Sequence, residues 1–219
     1  MSLIQVLLFC SLLNIPLVFA QTAEEYYKKG NNERDKRHFI QAIFNYSKAI
    51  TINSKYSDAY NNRGMAYEDI LDYNLAIADY KKIIQMDPHY SKAYVNLGAL
   101  YLTQNKFDQA ASVFKKALEL KPQDDNVFSN YGYIYLKQGQ YQNAIIYFSK
   151  AINLNIFNTT ALSDRAKTYF KIKEYDKAWE DVEKVQDLGY SVDPGFINQL
   201  KIASGRNSSF NKFKNESGF

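Results

Sequence analysis

Residues 91–124 read SKAYVNLGALYLTQNKFDQAASVFKKALELKPQD, and this stretch decides how the whole chain is interpreted. A window shifted by 34 residues finds the same pattern at 57–90 and at 125–158, with Gly64 and Gly132 at the position of Gly98. The other recurring positions are aromatic or small, and in 91–124 they are Tyr94, Tyr101, Ala110, Phe114 and Ala117. A fixed period of this length indicates a chain built from tandem structural repeats.

The recurring residues resemble the tetratricopeptide repeat family, whose 34-residue pattern places an aromatic, Leu-Gly, Tyr, Ala, Phe and Pro at fixed offsets. Residues 91–124 match that pattern except at Tyr94, where the family has Trp. The resemblance implies an all-α fold, a right-handed superhelical solenoid of helix-turn-helix repeats. It covers residues 23–192 as five repeats without insertions: 23–56, 57–90, 91–124, 125–158 and 159–192.

Each repeat is expected to form two amphipathic helices. In 91–124 the first helix is predicted at about 92–104, because Tyr94, Leu97 and Tyr101 share one helical face. The second is predicted at about 107–120 and ends before a proline, since the residue preceding proline avoids the helical region.

A glycine recurs on the buried face of the first helix, at 30, 64, 98 and 132. Glycine inside a helix costs about 1 kcal/mol relative to alanine, so its recurrence needs a structural reason. We expect close approach of the paired helix at Gly98, with Ala110 as the small residue facing it.

Both ends of the chain differ from the repeats. Residues 3–20 carry no charge and end in small residues, which predicts that 1–20 is a cleaved signal peptide and that the protein is exported, periplasmic or secreted. The run is also long enough for an uncleaved membrane anchor, which remains the alternative. At the other end, 193–205 is predicted to be a capping helix and 206–219 a disordered tail.

Composition and motifs argue against several functions. The net charge of +4 is small and scattered, which disfavours a nucleic-acid partner, and the single Cys10 rules out an internal disulfide. His38 and His89 fall at turns, and no cofactor, metal or catalytic motif is present in the sequence. The sequence therefore predicts a protein that is not an enzyme and needs no cofactor.

The resemblance implies that the second, fifth, sixth and ninth residues of each repeat face a concave groove. The sixth position holds Asn62, Asn96 and Asn130, whose amides offer both a donor and an acceptor to an extended peptide backbone. A structural role for Asn before Leu-Gly is the alternative. The other predicted groove residues supply amide, apolar or positively charged side chains, and they are Asn31, Met65, Lys92, Tyr133 and Lys167.

The predicted function is a non-enzymatic scaffold or adaptor that binds a protein or peptide in this groove, with Lys92 and Lys167 suited to an acidic partner segment. Two alternatives remain. One is a rigid accessory subunit of an envelope or secretion assembly that uses outer faces. The other is the carboxylate clamp of chaperone-binding members, but Tyr27 and Asn96 stand where that clamp needs basic residues.

Overall fold

The computed structural model describes residues 21–206, so the predicted signal peptide and residues 207–219 of the predicted tail lie outside the described range. Within that range the chain forms eleven α-helices and no strand. It divides into two compact units, one ending at Asp87 and the other beginning at Pro88. No helix in this range is both long enough and apolar enough to cross a membrane.

The first unit contains two helix pairs: α1 (Ala23–Asp35), α2 (Phe39–Ile52), α3 (Ser57–Asp69) and α4 (Tyr73–Met86). Helix α1 packs on α2, α2 on α3, and α3 on α4. The chain enters α1 through a capping box, in which the Thr22 hydroxyl accepts from the Glu25 amide and the Glu25 carboxylate accepts from the Thr22 amide. These reciprocal bonds satisfy backbone donors that have no partner inside the helix.

The second unit contains three pairs and a final helix: α5 (Ser91–Thr103), α6 (Phe107–Leu120), α7 (Asp125–Lys137), α8 (Tyr141–Leu154), α9 (Thr159–Lys171), α10 (Tyr175–Asp187) and α11 (Pro194–Ser204). The paired helices pack on each other, and the first helices of consecutive pairs, α5, α7 and α9, are also in contact.

Helix α11 is the predicted capping helix, and it packs on α10. Asp193 caps its first turn by accepting from the amides of Gly195 and Phe196. Phe196 and Leu200 are buried against Val182 and Trp179, and the Trp179 indole donates to the Ser204 hydroxyl at 3.1 Å. The last pair of helices therefore does not expose its apolar face.

The recurring glycines lie against aromatic rings. A Cβ built on Gly30 or Gly132 would lie 2.5 Å from the ring of the residue sixteen positions on, Tyr46 or Phe148. At Gly98 several Phe114 ring atoms would be closer than 3.0 Å. Close approach of the paired helix is therefore confirmed, but the residue that fills the space is the aromatic one and not the expected Ala110.

In the fifth repeat the positions of the glycine and of the aromatic ring hold side chains of different size. This repeat has Ala166 at the glycine position and Val182 at the aromatic position, and both are fully buried. The larger first residue is thus matched by a smaller partner. The two side chains together therefore fill the space between the paired helices, whichever of them is the larger.

Among the described residues, equivalent positions of the two units hold a buried ion pair that was not predicted from the sequence. In the first unit Arg63 donates to both carboxylate oxygens of Asp79, at 2.8 and 2.7 Å, and to the Ser47 hydroxyl at 2.9 Å. These residues lie in α2, α3 and α4, so the guanidinium joins three helices. Burial raises the pKa of the Asp79 carboxyl, and the hydrogen bonds and charge of Arg63 oppose that shift.

In the second unit Arg165 makes the same bonds to Asp181, at 2.8 and 2.7 Å, and to Ser149 at 2.8 Å. In both units Ser, Arg and Asp are spaced sixteen residues apart, a signal that could have been read from the sequence. The third repeat has Leu97 and Val113 at the Arg and Asp positions, so these positions accept an apolar pair in place of the ion pair.

Candidate peptide-binding surface

The surface formed by α5, α7 and α9 carries a pocket of about 270 Å³ within the second unit. Two predicted groove residues, Asn130 and Tyr133, line it. Its remaining lining residues come from the same three helices, and they are Ala99, Leu102, Thr103, Ser129, Thr160 and Asp164. Most of these are at the second, fifth, sixth or ninth position of a repeat, the positions that the family resemblance places in the groove.

A second pocket of about 240 Å³ adjoins the first, since Thr160 and Asp164 line both. Lys167 lies here, next to Tyr190 and Ser191 from the turn after α10. The two pockets therefore form a continuous surface across three repeats. Its lining combines aliphatic carbon with hydroxyl, amide and carboxylate groups and the ammonium of Lys167, which suits a side chain that has an apolar stem and a polar end.

The predicted Lys167 does not present an isolated positive charge. Its ammonium lies 2.9 Å from the Asp164 carboxylate, one helical turn earlier on α9. The Tyr133 ring is close to a second cation, because the Lys137 ammonium lies 5.1 Å from the ring centroid. At the start of α5, Lys92 is exposed and Asn96 is half-buried.

In the first unit the predicted residues form an internal hydrogen-bond network. The Asn62 amide nitrogen donates to the Asn31 side-chain oxygen at 2.9 Å and to the Tyr27 hydroxyl at 3.1 Å. The Tyr46 hydroxyl also donates to Asn31, at 2.9 Å. Asn61 donates to the Asn62 side-chain oxygen and to the Met65 sulfur, at 3.1 and 3.5 Å.

This network uses both amide hydrogens of Asn62 within the protein. A peptide backbone would have to replace these bonds before Asn62 could donate to it. The geometry at Asn62 therefore favours a structural role, whereas Asn130 faces a pocket. The peptide contact predicted for this residue type stays a prediction at both positions.

Burial controls the ionisation of the tyrosines around this network. It raises the pKa of Tyr46 to about 12, because the phenolate would lose its hydration. The pKa of Tyr56 is raised by burial and by its hydrogen bond to Glu24. Tyr27, which stands where the chaperone-type clamp needs a lysine, packs against Tyr56 with ring centroids 5.0 Å apart.

The two histidines lie on the surface. His38 is exposed just before α2 and contacts the Glu33 carboxylate at 2.9 Å, which lowers the pKa of Glu33. His89 is exposed just after Pro88. Within residues 21–206 no group of His, Cys, Asp and Glu side chains is arranged to hold a metal ion.

Comparison with known families identifies the repeats. The tetratricopeptide repeat model matches residues 72–129, and the model of anaphase-promoting complex, cyclosome, subunit 3 matches residues 103–185. Both matched stretches lie within the five predicted repeats. The predicted all-α tetratricopeptide fold is thus confirmed. No curated protein sequence gives a significant match.

Several solved structures share the fold. The pilF protein of Pseudomonas aeruginosa has a TM-score of 0.74 and 21% identity, with 84% of each chain covered. A tetratricopeptide repeat protein from Parabacteroides merdae has a TM-score of 0.70 and 20% identity, covering 84% of this chain and 72% of that one. TTC0263 from Thermus thermophilus has a TM-score of 0.69 and 17% identity, covering 84% and 100%. At these identities the likeness establishes the fold alone.

Proposed function

We propose that this protein is a non-enzymatic interaction module that binds a peptide segment of a partner protein along the first helices of its tetratricopeptide repeats. The observation that carries the proposal is the continuous pair of pockets over α5, α7 and α9. Three consecutive repeats contribute to it through their first helices, as binding along an extended segment requires. Tetratricopeptide repeats are a family of interaction scaffolds, which supports the same class of function.

A photo-crosslinking amino acid placed at Tyr133 tests this proposal. The matched control places the same group at Ile146, which is 50% exposed on the second helix of the same repeat. We expect the group at Tyr133 to crosslink one contiguous segment of a partner in native cells, and a synthetic copy of that segment to compete. Crosslinks formed only from Ile146 would rule out the first-helix surface.

One observation favours the alternative, a rigid accessory subunit that binds through its outer helices. Ile40 and Phe44 lie one turn apart on α2 and are 63% and 59% exposed. Such apolar side chains are candidates for contact with another protein. If this surface is the functional one, Phe44→Ser will abolish partner capture while substitutions at Asn130 and Tyr133 leave it unchanged.

Export is also part of the proposal and rests on the uncharged segment 3–20. N-terminal sequencing of the protein from fractionated cells tests it. A mature chain that begins at Gln21 in the exported fraction supports signal cleavage. An intact N-terminus in the membrane fraction supports the anchor, and an intact N-terminus in the soluble cell interior rejects both.

A further inference from the structure

The lining of the pocket over α5, α7 and α9 contains one charged residue, and that residue is acidic. Asp164 is the one Asp, Glu, Lys, Arg or His among its lining residues, and its side chain is only 14% exposed. The other polar side chains of the lining all have oxygen atoms that accept hydrogen bonds, and they are Thr103, Ser129, Asn130 and Thr160.

We infer that this pocket receives a lysine or arginine side chain of the partner segment, with its cationic end at Asp164. The inference rests on the proposed function and specifies the chemistry of the partner. A carboxylate placed in the same pocket would meet the Asp164 charge at short range, and like charges that are partly removed from water repel strongly. A cation would gain both the charge interaction and the hydroxyl and amide acceptors.

The shape of the pocket fits the same side chain. Ala99, Leu102 and the Tyr133 ring supply apolar surface from α5 and α7, whereas Asp164 comes from α9. Lysine and arginine carry a long aliphatic stem that packs on such surface while the charged end reaches a polar group. The ring of Tyr133 already lies beside one cation, Lys137, so its face accepts positive charge.

A ligand cation would have to displace the Lys167 ammonium from Asp164. Lys167 pairs with one oxygen of Asp164, Oδ1, at 2.9 Å, and its side chain is 47% exposed. Pairs of this exposure and spacing are weak, because solvent screens them and the long side chain must be ordered. Lys167 lines the adjoining pocket and not the first one, so it can turn toward solvent while a ligand takes its place.

A cationic partner segment is opposite in charge to the acidic segment expected from the sequence. The sequence predicted that Lys92 and Lys167 supply positive charge for an acidic segment. In the structure the charge of Lys167 is opposed by Asp164, and the carboxylate is the more buried of the two.

The test uses the purified full chain and three pools of ten-residue peptides that differ only in a central lysine, norleucine or glutamate. Binding is measured by fluorescence polarisation for the wild type, Asp164→Asn and Lys167→Gln. Both variants break the same ion pair, but only the first removes the carboxylate. Far-UV circular dichroism checks that both fold.

We expect the lysine pool to bind about five- to tenfold more tightly than the norleucine pool, since the carboxylate is largely shielded from solvent. Asp164→Asn should remove that preference, and Lys167→Gln should keep or increase it. Equal binding of the lysine and norleucine pools overturns the inference. So does a preference for the glutamate pool that Lys167→Gln abolishes.

A photo-crosslinker at Tyr133 separates the inference from the proposed function. If it captures the bound peptides without a preference for lysine, the inference fails and the proposed surface stands. If peptides crosslink only from Ile146, or if no pool binds at all, both are rejected.

Discussion

Replacing Gly98 by alanine should destabilise the second unit, although alanine is the better helix former. The substitution gains about 1 kcal/mol of helix propensity. It also places a methyl group against the Phe114 ring, closer than 3.0 Å to several ring atoms, and the ring is fully buried. Overpacking of a core costs about 1–3 kcal/mol, and this contact is severe enough to use the upper part of that range. The expected net loss is about 1–2 kcal/mol.

The fifth repeat supplies the compensating change. Phe114→Val alone should cost about 2–3 kcal/mol, because it leaves a cavity. Combined with Gly98→Ala it reproduces the Ala166 and Val182 pair, so the methyl group fills part of that cavity. The double variant should therefore lose less stability than the sum of the two single variants, by at least about 1 kcal/mol.

Urea unfolding followed by tryptophan fluorescence measures these effects. Trp179 is the single tryptophan, and it lies in the same compact unit as Gly98. Gly195→Ala is the matched control, since a Cβ there has its nearest neighbour at an ordinary 3.5 Å. It should be neutral or stabilising by up to about 1 kcal/mol. If Gly98→Ala proves as stable as the wild type, the ring moves aside freely and the contact does not explain the recurring glycine.

Three further predictions follow from buried polar groups and caps. Arg165→Leu should cost about 3–5 kcal/mol, because Asp181, with 2% of its side chain exposed, loses both hydrogen bonds from the guanidinium and keeps only the Lys184 ammonium 4.0 Å away, whereas adding Asp181→Val should recover most of that loss in the same urea assay. The first unit should lose stability as pH rises from about 10 through 12, because the unfolded chain ionises its tyrosines before the folded chain ionises Tyr46. The stability that this tyrosine contributes is fully present below about pH 10, so Tyr46→Phe should flatten the alkaline slope in pH-dependent unfolding, and an unchanged slope would contradict the argument. Asp193→Ala should cost about 1 kcal/mol by removing the cap of α11 while Asp193→Asn should not, as measured by hydrogen exchange of the first turn.

The sequence was a reliable guide wherever structure depends on neighbours within one repeat. The period of 34 residues places two helices in every repeat, because the apolar residues recur at helical spacing inside each half. The N-cap and proline at the start of α11 are equally local, since they act on backbone groups one to three residues away.

The candidate site could be predicted from the sequence only in part. Position within the repeat indicated that Asn130 and Tyr133 share a face, and both line the same pocket. Position within the repeat also made Asn62 equivalent to Asn130, although the Asn62 amide donates hydrogen bonds to Asn31 and Tyr27. Those partners lie in the preceding repeat, about one period away, and their side-chain geometry is not part of the repeat pattern.

The sequence by itself therefore determined the repeat architecture and the face that each position occupies, because both follow from local periodicity. Only the tertiary structure decided which groups meet across helices. It placed the Phe114 ring on Gly98, joined Arg63 to Ser47 and Asp79, and set a shielded Asp164 carboxylate in the pocket beside a more exposed Lys167. These contacts depend on distances between helices and on side-chain conformations, which are fixed by packing rather than by the spacing of residue types.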